Sequence, residues 1–262
     1  MRILAIANQK GGVGKSTIAT NLAMTIAHMG DRVLLVDADY QANSTAGLKI
    51  DPDPSHTLSA WLPQNHSTPT IHVHNEQKNL GVLPAYITMA DDEAEIDVKT
   101  FPPDRIASLL RRTYEDDYTW MIIDCPPSLA SFWARASLLA AHRVLIPVTP
   151  GPFPLIGFRQ LVNRIDQIRH HAWNPQLRIL GVLPNMVDTR NTFGREIRPL
   201  LEMVAPRPLI MKTEIPISAG LVNAQGRGRT ILDDDPTNRA AYKFVDLFKE
   251  VWERWEKPDA AL

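Results

Sequence analysis

Cysteine is almost missing from this chain of 262 residues: Cys125 stands alone. That excludes a disulfide framework and fits a reducing cytoplasm. One thiol per subunit also falls short of the paired cysteines that an iron–sulfur cluster needs. No apolar run approaches the ~20 residues of a membrane span. The chain enters an apolar strand at once, so no secretory leader is expected. Internal repeats and low-complexity tracts are missing too. His56, His66, His72 and His74 follow no known zinc spacing, so no metal site is expected there. A charge excess of either sign is also lacking, since the net charge is −1. The totals therefore advertise no polyanionic partner.

The distribution of charge is less even. Residues 151–232 carry eleven Lys and Arg against five Asp and Glu, and ten of the eleven are arginine, the better phosphate fork. A local basic face is compatible with the neutral total. Residues 91–97 hold Asp91, Asp92, Glu93, Glu95 and Asp97, which read as a solvated acidic face.

Short apolar runs alternate with helical stretches along the whole chain. Strands are expected at Ile3–Ala7, Val33–Val36, Trp120–Ile123, Val144–Val148 and Ile179–Leu183, with a sixth near Leu209–Met211. They are apolar on both faces, as in a parallel sheet covered by helices. Helices are expected at about 16–29, 102–112, 131–140, 154–171, 191–203 and 238–256. Repeated β-α units imply right-handed crossovers and a doubly wound, mostly parallel α/β sheet. The expectation is one domain over 1–262. An irregular elaboration at about 50–100, with a short pair of strands near 70–83, would sit between the second and third core strands. The last helix carries a wide apolar stripe, read as core packing rather than a lipid-binding face, because acids offset its bases.

Residues 8–17 read Asn-Gln-Lys-Gly-Gly-Val-Gly-Lys-Ser-Thr. Gly14, Lys15 and Ser16 fit the end of a Walker A phosphate loop, and strand, loop and helix occur in the required order. Gly11, Gly12 and Gly14 let the backbone turn tightly and aim N–H groups at phosphate oxygens. The helix that begins at Ser16 turns its positive end to the same place. Lys15 is expected at the β- and γ-phosphates, Ser16 on Mg²⁺ and Thr17 at the α-phosphate. Gln9 replaces the usual first glycine, and Lys10 appears just before Gly11. A second apolar strand ends in Asp37-Ala38-Asp39. A third ends in Asp124-Cys125-Pro126-Pro127, which reads as Walker B with Asp124 on Mg²⁺ through water.

The pattern K-G-G-x-G-K-[ST], with D-x-D and I-D-x-P-P-S, resembles the deviant Walker A ATPases of the ParA/MinD family, and most closely its ParA/Soj-like partition ATPases. The likeness covers nearly the whole chain, including Leu145–Pro150 with the Phe153–Phe158 helix start, Thr213–Pro216 and Pro236–Ala241. It implies a P-loop ATPase that dimerises around ATP and Mg²⁺, with Lys10 reaching the partner's site. It implies nucleotide contacts from Lys10, Gly11, Gly12, Val13, Gly14, Lys15, Ser16, Thr17, Asn185 and Pro216. Metal contacts are implied for Ser16, Asp37 and Asp124, and catalysis for Lys10, Lys15 and Asp39, the last orienting or deprotonating the attacking water. Asn185-Met186-Val187-Asp188 is similar to a guanine-reading motif. Methionine stands in place of lysine, however, and family relatives with this segment use ATP. Gln41 and Asn43 match the family's first switch, while Tyr40 stands where proline is usual.

The resemblance further implies binding to non-specific DNA in the ATP state, with plasmid or chromosome segregation as the output. A ParB-like partner or cargo adaptor would stimulate hydrolysis, and the protein would be cytoplasmic and nucleoid-associated. Arg195, Arg198, Lys212, Arg227 and Arg229 are the candidate DNA contacts, since phosphate binding needs charge rather than base readout. The alternatives are positioning of a protein cargo, such as a carboxysome or chemoreceptor cluster, and a MinD-like membrane ATPase. No membrane association is expected.

Overall fold

The computed structural model describes residues 1–63, 65, 67–74, 76–151 and 154–257, and only the backbone of 154–156. His66 and Phe153, named above, lie outside the described residues. The strands are β1 (Arg2–Ile6), β2 (Val33–Asp37), β3 (His72–Val73), β4 (Leu80–Leu83), β5 (Trp120–Asp124), β6 (Arg143–Val148) and β7 (Arg178–Pro184). They form one sheet in the order β3-β4-β2-β5-β1-β6-β7, and every pairing is parallel except β3 with β4.

The helices are α1 (Lys15–His28), α2 (Asn43–Gly47), α3 (Met89–Ala94), α4 (Pro103–Thr113), α5 (Phe132–Ala140) and α6 (Pro154–His170). They are followed by α7 (Thr192–Glu202), α8 (Ala219–Gly226), α9 (Ile231–Asp234) and α10 (Arg239–Glu256). The long ones start and stop within a residue or two of the expected ranges.

The period of two along each strand divides the core into two layers. Ile3, Leu34, Val36, Met121 and Ile123 pack with α4, α5, α6 and α7. Leu4, Ile6, Leu35 and Ile122 pack on the other side with α1 and α10. Most of the apolar stripe of α10 packs there: Phe244, Leu247 and Val251 are fully buried, while Tyr242 and Trp252 stay exposed. Among the described residues no helix is long and apolar enough to cross a membrane.

One expectation needs correction. Leu209–Met211 is not a strand: Arg207–Leu209 is a single 3-10 turn, and Ile210 makes one isolated parallel bridge to Val182. Pro206 and Pro208 flank this stretch and cannot donate to a ladder. The short pair of strands expected near 70–83 is present as β3 and β4, and β4 joins the core sheet. All four residues of β4 are buried, and β4 pairs with β2.

The strand order assembles the site. β5 lies between β1 and β2, and Asp124 is in register with Ile6 on one side and Asp37 on the other. The loop after β1 and the two carboxylates therefore meet at the carboxyl edge of the sheet, where open α/β sheets bind ligands.

Candidate active site

Residues 8–14 form the turn between β1 and α1. Gly12 and Gly14 have φ of 71° and 81°, left-handed conformations that disfavour any residue with a Cβ. Gly14 caps α1, and a Cβ there would stand 2.5 Å from Asn185 Nδ2. Asn8 is buried and ties the turn to the neighbouring strand. Its Nδ2 donates to Pro147 O at 2.7 Å, and its Oδ1 accepts from Lys10 N at 3.1 Å. Gly157 of α6 lies against the same Asn8.

The two lysines of the loop differ sharply. Lys15 is 7 % exposed and faces Asp39 and Asp124 electrostatically. Lys10 is exposed, and no side chain among the described residues holds its ammonium group.

Asp39 and Asp124 feel the charge of Lys15, and Asp37 lies beside Asp124. Asp37 is fully buried. It accepts from Thr45 N at 2.9 Å, Thr45 Oγ1 at 2.8 Å and Asp39 N at 3.2 Å. Burial, then the charge of Asp124, still pushes its carboxyl above the usual range. Asp124 is also fully buried and raised by burial, against the pull of the Ser16 and Ser44 hydroxyls and Lys15. Its Oδ2 accepts from Ser44 Oγ at 2.8 Å, whereas its Oδ1 has no hydrogen-bond partner. Asp39 is raised by burial, with Gln41 N and Lys15 opposing. Three buried carboxylates around one lysine leave negative charge that a divalent cation would offset. The unpartnered Asp124 Oδ1 near Ser16 suits a hydrated Mg²⁺. The open glycine turn suits a phosphate chain, since a Cβ on Gly11 or Gly12 would meet nothing within 4 Å.

Three comparisons place this geometry among known proteins. The family described as an AAA domain matches residues 1–179. The sporulation initiation inhibitor protein Soj of Bacillus subtilis is 38% identical over 253 residues, covering 95% of this chain and 98% of that protein. The chain belongs to the Soj/ParA family of ATPases. The chromosome partitioning protein ParA of Caulobacter vibrioides is 38% identical over 199 residues, covering 75% of this chain and 74% of its own. Cobyrinic acid a,c-diamide synthase from Mycobacterium smegmatis, solved with an ATP analog and magnesium, superposes with a TM-score of 0.80 at 27% identity. It covers 98% of this chain and 96% of its own.

Within the family's framework, some expected residues come together and others separate. Pro216 bridges Val187, and Val187 N donates to Ile215 O at 3.0 Å, which brings the Pro216 loop beside Asn185. Asn185 itself is 3 % exposed and donates from Nδ2 to Val13 O at 2.7 Å, so it braces the phosphate loop. Tyr40 packs against the core, and Ala42 takes the left-handed conformation (φ 53°). The candidate basic face divides. Arg198 and Lys212 line one cavity, with Arg195 exposed on the same helix, α7. Arg227 and Arg229 lie on another cavity beside β3. Acids already hold three of the five: Arg198 pairs with Glu214, Arg227 with Asp234 at 2.8 Å and Arg229 with Glu76 at 3.1 Å.

Sequence reasoning missed Ser44 and Thr45, which fix Asp124 and Asp37. The only local signal was a pair of hydroxyl residues following the matched Gln41 and Asn43. It also missed Glu93. That residue of the supposed solvated acidic run accepts from Phe132 N at 2.6 Å and Ser131 Oγ at 3.1 Å, at the start of α5.

Proposed function

We propose that this ATPase works as a nucleotide-gated dimer that binds DNA without sequence preference in its ATP state and segregates or positions a DNA cargo. A ParB-like partner would stimulate its hydrolysis. The observation that carries the reading is the contrast between the two lysines. Lys15 is buried and faces the charges of Asp39 and Asp124. Lys10, five residues earlier, is exposed, and no side chain among the described residues holds its ammonium. A cation donated in trans stabilises charge on a transferring phosphoryl group and couples assembly to nucleotide state.

Bound Mg-ATP would supply the anhydride to be cleaved and a divalent charge that offsets the charge developing on it. The chain's residues do the rest. The N–H groups of residues 11–17 and Lys15 cradle the phosphates, with Thr17 at the α-phosphate. Ser16 and Asp124 would hold the cation, with Asp37 supporting it. Asp39, raised by burial, orients water and accepts its proton. Asn185 and Pro216 border the base. Among the DNA candidates, exposed Arg195 and Lys212 are the best placed, because no acid among the described residues holds them.

Binding to random-sequence duplex DNA, measured with ATP, ADP and no nucleotide at fixed salt, tests this reading. It predicts binding with ATP alone, together with a dimer by light scattering. An ATP-saturated monomer, or equal binding in all three states, would refute it.

A further inference from the structure

Arg135 of α5 and Arg164 of α6 stand side by side on a face that the nucleotide chemistry does not use. Both line a cavity of about 370 Å³ walled by Pro103, Leu139, Ile168 and Trp173. Both also line a second cavity of about 510 Å³ that runs to Gln160, Asn163 and Gln9 of the phosphate loop. Arg198, Arg227 and Arg254 sit on carboxylates, and Arg111 and Arg143 on main-chain carbonyls. Among the described residues, neither Arg135 nor Arg164 does. Arg164 donates from Nη1 to Gln167 Oε1 at 3.2 Å, while its Nε is buried and has no acceptor. Burial and the neighbouring charge of Arg135 both disfavour the Arg164 cation. A guanidinium does not shed its proton in a protein, so the repulsion and the orphan donor persist. Asp104, exposed, is the carboxylate among the residues lining the first cavity and pairs with neither arginine.

We propose that the Arg135–Arg164 pair is a second binding site, for an organic anion: a carboxylate or phosphate carried on an apolar or aromatic body. Two guanidinium groups on the same cavity walls, with no carboxylate paired to either among the described residues, match a planar or tetrahedral anion. Trp173 is 53 % exposed beside them and, with Leu139 and Ile168, offers a surface for the apolar body. Each cavity falls within the ~300–1,000 Å³ usual for small-ligand sites. This chemistry has two sources, a free small molecule or an acidic side chain next to an aromatic one in a partner protein. Because the second cavity reaches Gln9, next to Lys10, occupancy would be felt by the ATPase site.

The test is calorimetric titration of phenyl phosphate and benzoate into the full chain, with the phosphate loop filled by Mg-ADP. Saturable binding is expected. R135Q and R164Q should each weaken it by about ten-fold or more, the loss of one charge-assisted hydrogen bond. D104N, which removes a repelling carboxylate without touching the arginines, should tighten it by about two-fold. It keeps the test alive if an arginine variant does not fold. N-acetyl-Phe-Glu-amide binding more tightly than phenyl phosphate assigns the site to a protein partner, and the reverse assigns it to a free metabolite. Either result upholds the anion site. No saturable heat from any probe at millimolar concentration, or binding that survives both R135Q and R164Q, overturns it.

Discussion

Asp124→Asn should stabilise the nucleotide-free protein while abolishing its Mg-dependent ATPase. The buried cluster holds three carboxylates, at Asp37, Asp39 and Asp124, against one lysine, Lys15. Asp37 and Asp124 are register partners on adjacent strands, and so lie ~5 Å apart. Two unit charges at that separation repel by ~3 kcal/mol at an effective dielectric constant of 20. Burial first, and this repulsion second, raise the Asp37 carboxyl, so the folded protein keeps a proton on the cluster. The sign follows. Above the usual carboxylate range, the folded state holds a proton that the unfolded chain has released. Stability contributed by the cluster therefore falls as pH rises through the raised value. The asparagine of the variant would keep an oxygen for Ser44 Oγ, and its amide nitrogen would replace an oxygen that already lacks a partner. The expected gain is about 1–3 kcal/mol at pH 8 in EDTA, fading at pH 5.5. For a chain of this size that is a Tm rise of roughly 2–8 °C. Thermal denaturation of both proteins at the two pH values measures it. A variant no more stable than the parent at pH 8, or one shifted equally at both, would refute the reasoning.

Three further outcomes follow from other contacts. Glu250→Gln should cost about 2 kcal/mol at pH 7, because the carboxylate accepts from Lys212 N and Thr213 N, each at 2.8 Å, and pairs with Arg254. Burial would raise Glu250, but these partners more than offset it and hold it below its usual range. The gap between variant and parent, read by urea denaturation, should close as pH falls below about 4. Gly14→Ala should lose nucleotide affinity and about 2 kcal/mol or more of stability, since its φ is 81° and the added Cβ meets Asn185; fluorescent ADP titration with a melting curve checks both. Glu93→Gln should loosen the start of α5 and speed hydrogen exchange at residues 132–134, while leaving the melting of the rest within about 1 kcal/mol.

The sequence made the sheet legible because its strands are apolar on both faces and short, as buried parallel strands must be. It made the phosphate loop, Asp37, Asp39 and Asp124 legible because each follows such a strand directly. Leu209–Met211 deceived because three apolar residues suit a buried turn as well as a strand. β4 was undervalued because its place beside β2 depends on a pairing that no local pattern announces. Glu93, Ser44 and Asn8 act on elements up to 139 residues away, and composition cannot tell a capping carboxylate from a solvated one. Arg198, Arg227 and Arg229 read as free charge because their acids come from elsewhere in the fold.

The position of β5 between β1 and β2 bears on how the protein is made. A ribosome delivers the phosphate loop and the first carboxylates more than eighty residues before the strand that must slide between them. Until Trp120–Asp124 emerges, β1 and β2 have no shared neighbour, and Lys15 has no Asp124 to face. Nucleotide therefore cannot help the nascent amino-terminal part to fold. It can select only chains in which the central strand has already been threaded into place.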